Sequence, residues 1–160
     1  MHDGQLDIDE RAVRALIAEQ FPQWRDEPVR HLDAGGTVNA IFRIGERYAA
    51  RFRLTSADPA SVGTELAAEA AAMEELASVC PVPTPLPVAV GAPGAGYPVP
   101  WAVQTWVAGR TATPTGLARS TAFALCLVEM IGALREAGTG GRSERRRPGS
   151  PPAAPGLRAA

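Results

Sequence analysis

The stretch GGTVNAIFRIGERYAARFRL, residues 35–54, decides the fold. Apolar residues alternate on both sides of Gly45-Glu46, a pair that suits a two-residue hairpin turn with glycine at its first central position. The expectation is two antiparallel strands, 38–44 and 47–54. A period of two puts Tyr48, Ala50, Phe52 and Leu54 on one face of the second strand, and Arg47, Ala49, Arg51 and Arg53 on the other. The apolar face is core. A face carrying three arginines is either solvated or a site, and the difference rests on whether a carboxylate elsewhere in the chain is placed to meet it.

Working outward, LDIDERAVRALIAEQF has apolar residues at helical spacing (Ile8, Val13, Leu16, Ile17, Phe21) behind an acidic start, which predicts an amphipathic helix ended by PQW. VRHLDA reads as a first strand entering a turn at Gly35 and Gly36, and TSADPA as a loop. Residues 61–79 read as a helix whose stripe of Val62, Leu66, Met73 and Leu76 is interrupted by Glu69. The prolines of CPVPTPLPV impose an extended connector, and VAV and WAVQTWV, joined by GAPGAGYPVP, supply two more strands. The fold class is therefore α+β: a five-stranded antiparallel sheet with an inserted helix, preceded by one helix. Residues 117–137 form a further, strongly apolar helix with Gly138 at its C-cap position. Its Leu117, Phe123, Leu125, Leu127, Val128, Met130, Ile131 and Leu134 spread around most of its circumference, so self-association through 117–137 is expected. From Thr139 onward periodicity and large apolar residues disappear together, which predicts a disordered tail.

At 160 residues and 46% hydrophobic, the chain can bury a core, and its formal net charge of -1 gives no general case for nucleic acid or an acidic surface. All 16 basic side chains are arginine, and with 16 Gly and 15 Pro this points to a GC-rich gene rather than to a choice of arginine at each site. The two cysteines, Cys80 and Cys126, have no metal-ligand spacing and no histidine nearby, so they read as buried thiols of a cytoplasmic protein. No apolar run suits a signal core or a membrane span. Ser120, Ser143 and Cys126 lack a neighbouring His, which leaves a hydrolase triad without a base. Trp24, Trp101 and Trp106 read as core or loop anchors.

Glu69 either points along the helix edge into water, leaving Arg51 a surface arginine, or is the carboxylate that meets the arginine face. A charge inside an apolar stripe is costly to bury without a cation, and Arg51 is the natural partner. A glycine turn between two strands, a cation on the third strand and a glutamate on the following helix form the arrangement by which kinases hold the phosphates of ATP. The chain resembles the aminoglycoside phosphotransferase family of small-molecule kinases from about Asp9 to Ala137. The resemblance is carried by QFPQW, GGTVNAIFRIG, YAARF, EAAAMEELA and VPTPLPVAVGAPGAGYPVPWAVQTWVAG, in that order. It implies that Gly35, Gly36 and Asn39 belong to the loop over the phosphates, that Ile41 and Ala49 lie against the adenine, and that Arg51 contacts phosphate oxygens while Glu69 orients it. It also implies that residues 104–107, Gln104 and Trp106 among them, present backbone groups to the adenine edge.

The same resemblance exposes a departure. In the family a His-Gly-Asp…Asn loop and a later Asp supply the base and the magnesium ligands from a second, helical lobe, yet here no Asp follows Asp58, no His follows His31 and no Asn follows Asn39. The expectation is a kinase-like N-terminal lobe over 1–110, a helix at 111–138 leading to an absent C-terminal lobe, and a tail at 139–160 of the kind a frameshift in a GC-rich gene would leave. ATP is the implied cofactor, with magnesium in the complete family fold only; a small-molecule alcohol is the implied acceptor. The alternatives are a non-catalytic interaction module and a gene fragment without function.

Overall fold

The computed structural model describes residues 5–33, 38–109, 113–117 and 119–137. In chain order these form α1 (Glu10–Gln20), a 3-10 turn (Pro22–Trp24), β1 (Val29–Leu32), β2 (Asn39–Ile44), β3 (Tyr48–Arg53), α2 (Pro59–Val79), β4 (Pro87–Gly91), β5 (Trp101–Thr105), α3 (Pro114–Leu117) and α4 (Thr121–Glu136). The strands make one sheet in the order β1-β2-β3-β5-β4, with every neighbouring pair antiparallel. The α+β class, the five strands and the inserted helix are as the sequence predicts. The turn at Gly35-Gly36, the helix cap at Gly138 and the tail from Thr139 lie outside the described residues.

Strand parity puts Ala40, Phe42 and Ile44 of β2, Ala50 and Phe52 of β3, and Trp101 and Val103 of β5 on one face, where all are buried with Val13, Leu16 and Ile17 of α1. Phe52 is the centre of that core: it stacks on Trp101 at 4.9 Å and meets Phe42 and Tyr97 edge-on at 5.6 and 5.1 Å. Rings in these orientations add attraction beyond the area they bury. Gly91 is required here, because a Cβ at that position would stand 2.1 Å from the Trp101 indole. Asp9 starts α1 by accepting the Ala12 N–H at 2.8 Å. Glu10 then ties α1 to β1 by accepting the His31 backbone N–H at 3.0 Å, and that bond, with Arg14 beside it, holds the Glu10 carboxyl below its ordinary range.

Three boundaries differ from expectation for local reasons. The β2–β3 turn has three residues rather than two, since Ile44 pairs with Tyr48. Gly45 does adopt a positive φ of 54°, and the Arg47 carbonyl accepts the Trp106 N–H at 2.7 Å, continuing the β3–β5 pairing past Tyr48 and Thr105. The helix expected at 61–79 begins at Pro59, because Asp58 accepts the Ser61 N–H at 2.8 Å and proline suits the first helical position. The helix expected at 117–137 is divided: Ser120 accepts the Phe123 N–H at 3.2 Å and starts α4 afresh after the short α3. Cys80 and Cys126 are free and half-buried, not buried.

Candidate functional site

The opposite face of the sheet carries the arginines. Register aligns Asn39 with Arg53, Ile41 with Arg51 and Ala102, and Arg43 with Ala49 and Gln104, so these residues share one surface. Helix α2 lies along it. Arg51 Nη1 donates to Glu69 Oε1 at 2.6 Å and, more weakly, to Gln104 Oε1 at 3.5 Å. The Arg51 side chain is 24% exposed and that of Glu69 is 41% exposed, so the pair stands at the mouth of a cleft, neither sealed nor fully solvated. A second bridge, Arg53 to Glu65, runs beside it. Below them a cavity of about 250 Å³ opens between α2, β4 and β5, with Leu66, Met73, Val88 and Val90 on its walls and Arg51, Glu69 and Gln104 at its polar end.

Of the residues assigned from the sequence, Asn39, Ile41, Arg51 and Gln104 are half-buried on this face, and Glu69 meets it from α2. Gly35 and Gly36 lie outside the described residues. Ala49 shares the face but is only 1% exposed. Its register partner Arg43, for which the sequence predicts no role, extends across the sheet: its guanidinium sits 4.4 Å from the Trp106 ring centroid and donates to the Glu46 carbonyl and carboxylate at 2.7 and 3.0 Å. At 1% exposure Ala49 offers almost no surface to a ligand. In the segment 104–107 the Thr105 and Trp106 N–H groups are already committed, to Leu86 and Arg47 carbonyls at 2.8 and 2.7 Å. Those two N–H groups are therefore not available to a ligand. Period-two parity could have found Arg43, since it sits two residues from Ile41; nothing in the sequence could have shown that it stacks on Trp106.

Among the described residues no three His, Cys, Asp or Glu side chains stand together as a metal ion requires, and no helix is long and apolar enough to cross a membrane. An arginine fork held by a carboxylate at the edge of a cleft can bind an anionic oxygen, bidentately where the geometry allows. That is the chemistry the face offers.

Solved structures share this fold. The chain is similar to the GDP complex of wild-type aminoglycoside 2′-phosphotransferase IIIa (21% identity, TM-score 0.65), covering 83% of this chain and 44% of that one. It is similar also to the GDP complex of a single-substitution variant (22%, TM-score 0.61, covering 79% and 41%) and to the GDP and kanamycin complex of APH(2″)-IIIa (22%, TM-score 0.62, covering 80% and 42%). At this identity the likeness establishes the fold, that of the kinase-like N-terminal lobe, and the chain spans less than half the length of these structures. No curated protein sequence matches it. The model of the phosphotransferase enzyme family matches residues 9–160, running on past the point where the periodicity is lost. With nearly the whole sequence matched and the kinase-like sheet and helix in place, the chain belongs to the phosphotransferase enzyme family.

Proposed function

We propose that residues 1–110 are the nucleotide-binding lobe of an aminoglycoside-phosphotransferase-type kinase, which in its complete form moves the γ-phosphate of ATP to a hydroxyl of a small molecule. The observation that carries this reading is the Arg51–Glu69 bond at 2.6 Å on the open face of the sheet. Arg51 binds phosphate oxygens, Glu69 keeps its guanidinium aimed, and Gly35, Gly36 and Asn39 are assigned to the phosphate loop. Ile41, Ala49 and the segment 104–107, with Gln104 and Trp106, border the base. The GDP and kanamycin of the similar structures support a purine nucleotide and a small polar acceptor as partners.

Phosphoryl transfer also needs a carboxylate to position the acceptor hydroxyl and oxygen ligands for magnesium. No Asp or Asn stands beyond Asp58, so these are assigned to the family's helical lobe, to which 111–138 leads, and no step of this reading runs through a metal bound here. The chain by itself is accordingly proposed to bind nucleotide in the cytoplasm without transferring phosphate. A second reading, an interaction module, is favoured by one observation: α4 leaves Leu125, Val128 and Ile131 exposed, a surface suited to self-association.

Titration calorimetry of the purified chain with ATP and with GTP tests the first reading. Arg51→Ala is expected to weaken binding about tenfold or more, as loss of a charge-assisted phosphate contact does. Glu69→Ala should weaken it less, by releasing Arg51, and the double variant should cost much less than the sum. Strict additivity, or an affinity indifferent to Arg51, would remove the support for a nucleotide site. Magnesium-dependent turnover by this chain, lost with Arg51, would overturn its assignment as inactive alone.

A further inference from the structure

Arg51 and Arg53 point from the same face of β3, two residues apart, and Glu65 and Glu69 stand one helical turn apart on α2. Both pairs are joined, Arg51 to Glu69 and Arg53 to Glu65. The spacings match: two residues of strand span about 6.7 Å and four residues of helix about 6 Å. The rungs run in opposite chain directions, so α2 lies antiparallel to β3 and both bonds form together in one register only.

We propose that Arg53 and Glu65 are positioning residues, a second rung that decides which glutamate holds Arg51. Core packing anchors α2 only towards its N-terminal end, where Val62 is buried and Leu66 lies against the core, and gives the stretch around Glu69 and Met73 no buried residue to fix it. Without the second rung, partners can exchange. A shift by one turn brings Arg51 opposite Glu65 and strands Arg53, whereas a shift the other way brings Arg53 opposite Glu69 and leaves Arg51 facing Met73. Long side chains accomplish much of either exchange by rotamer changes alone. With both rungs present, each exchange leaves one cation and one carboxylate without partners, and the native pairing wins. The effect on ligand affinity rests on the nucleotide reading above; the register itself does not.

The experiment compares Arg53→Ala, Glu65→Ala and the double variant with the original chain, using ATP with magnesium as the titrant. Each single change creates a competitor, a free Glu65 for Arg51 or a free Arg53 for Glu69, and is expected to weaken binding about three- to fivefold, the scale of a half-exposed ion pair. The double variant has no competitor and should recover to within about twofold of the original. General damage to the fold predicts the reverse order, with the double variant worst. Singles that bind like the original chain, or a double variant weaker than either single, would overturn the proposal. The Arg51–Glu69 coupling in urea denaturation gives a readout without nucleotide: it should fall in the Arg53→Ala background and return when Glu65 is also removed. If Arg51→Ala leaves ATP affinity unchanged, the nucleotide reading fails, and this coupling alone judges the ladder; a coupling indifferent to Arg53 sinks it.

Discussion

Tyr97 shows how a single side chain serves two layers. Its ring is 1% exposed and packs edge-on against Phe52, while its hydroxyl donates to the Arg53 carbonyl at 2.9 Å. The core thus holds the end of β3 from below while Glu65 holds the Arg53 side chain from above. Burial pushes the Tyr97 hydroxyl from 10.0 up to about 12, because the phenolate would have to leave water. A raised pKa for an acid means that the folded chain keeps its proton where the unfolded chain has lost it. This contribution to stability is complete below about pH 10 and drains away as pH rises from about 10 towards 12. Tyr97→Phe should cost about 1 kcal/mol at neutral pH through the lost hydrogen bond, and it should flatten the alkaline fall in melting temperature between those values. An unchanged alkaline limb in the variant would show that Tyr97 is not the group responsible.

At the scale of elements, the close approach of β4 to the core ring predicts a sharp intolerance. An alanine methyl at Gly91 would meet the Trp101 indole at 2.1 Å, and Trp101 is clamped between Phe52 on its face and Phe21 at its edge, 5.4 Å away. Gly91→Ala should therefore cost about 1–3 kcal/mol, the usual range for overpacking, with a changed near-ultraviolet dichroism of the tryptophan. A denaturation midpoint equal to that of the original chain would mean that the sheet edge yields freely. Elements whose periodicity carries their own burial, namely β2, β3 and α1, were legible in the sequence. So was the Arg51–Glu69 pair, because a charge in an apolar stripe demands a partner. What could not be read were interactions set by tertiary geometry. The Trp106 N–H bonds the Arg47 carbonyl beside the three-residue turn, and the Arg43 guanidinium lies over the Trp106 ring; neither contact has a signal in the spacing. The Arg53–Glu65 rung needed the direction of α2 relative to β3, which spacing alone leaves open.

At the scale of the whole molecule, helices α1 and α4 behave differently. Helix α1 buries Val13, Leu16 and Ile17 to 1% exposure or less. Helix α4 buries no residue, and Leu125, Val128 and Ile131 remain 59%, 66% and 51% exposed. Successive members of the series 125, 128, 131, 134 are turned by about 60° from one another, since each residue advances about 100° around the axis. The series thus covers half the circumference, more than one neighbour can shield, and a helix apolar over so wide an arc belongs inside a larger packed unit. The isolated chain should accordingly associate through α4. Sedimentation equilibrium should show dimers or larger species at micromolar concentration, and a hydrophobic dye should bind. Replacing Leu125, Val128 and Ile131 together with glutamate should yield a monomer with unaltered far-ultraviolet dichroism. It should also retain the proposed ATP affinity, because none of the three lines the cavity beside Arg51 and Glu69. A monodisperse monomer of the original chain at high concentration, with no dye bound, would mean that α4 finds its cover within the chain itself.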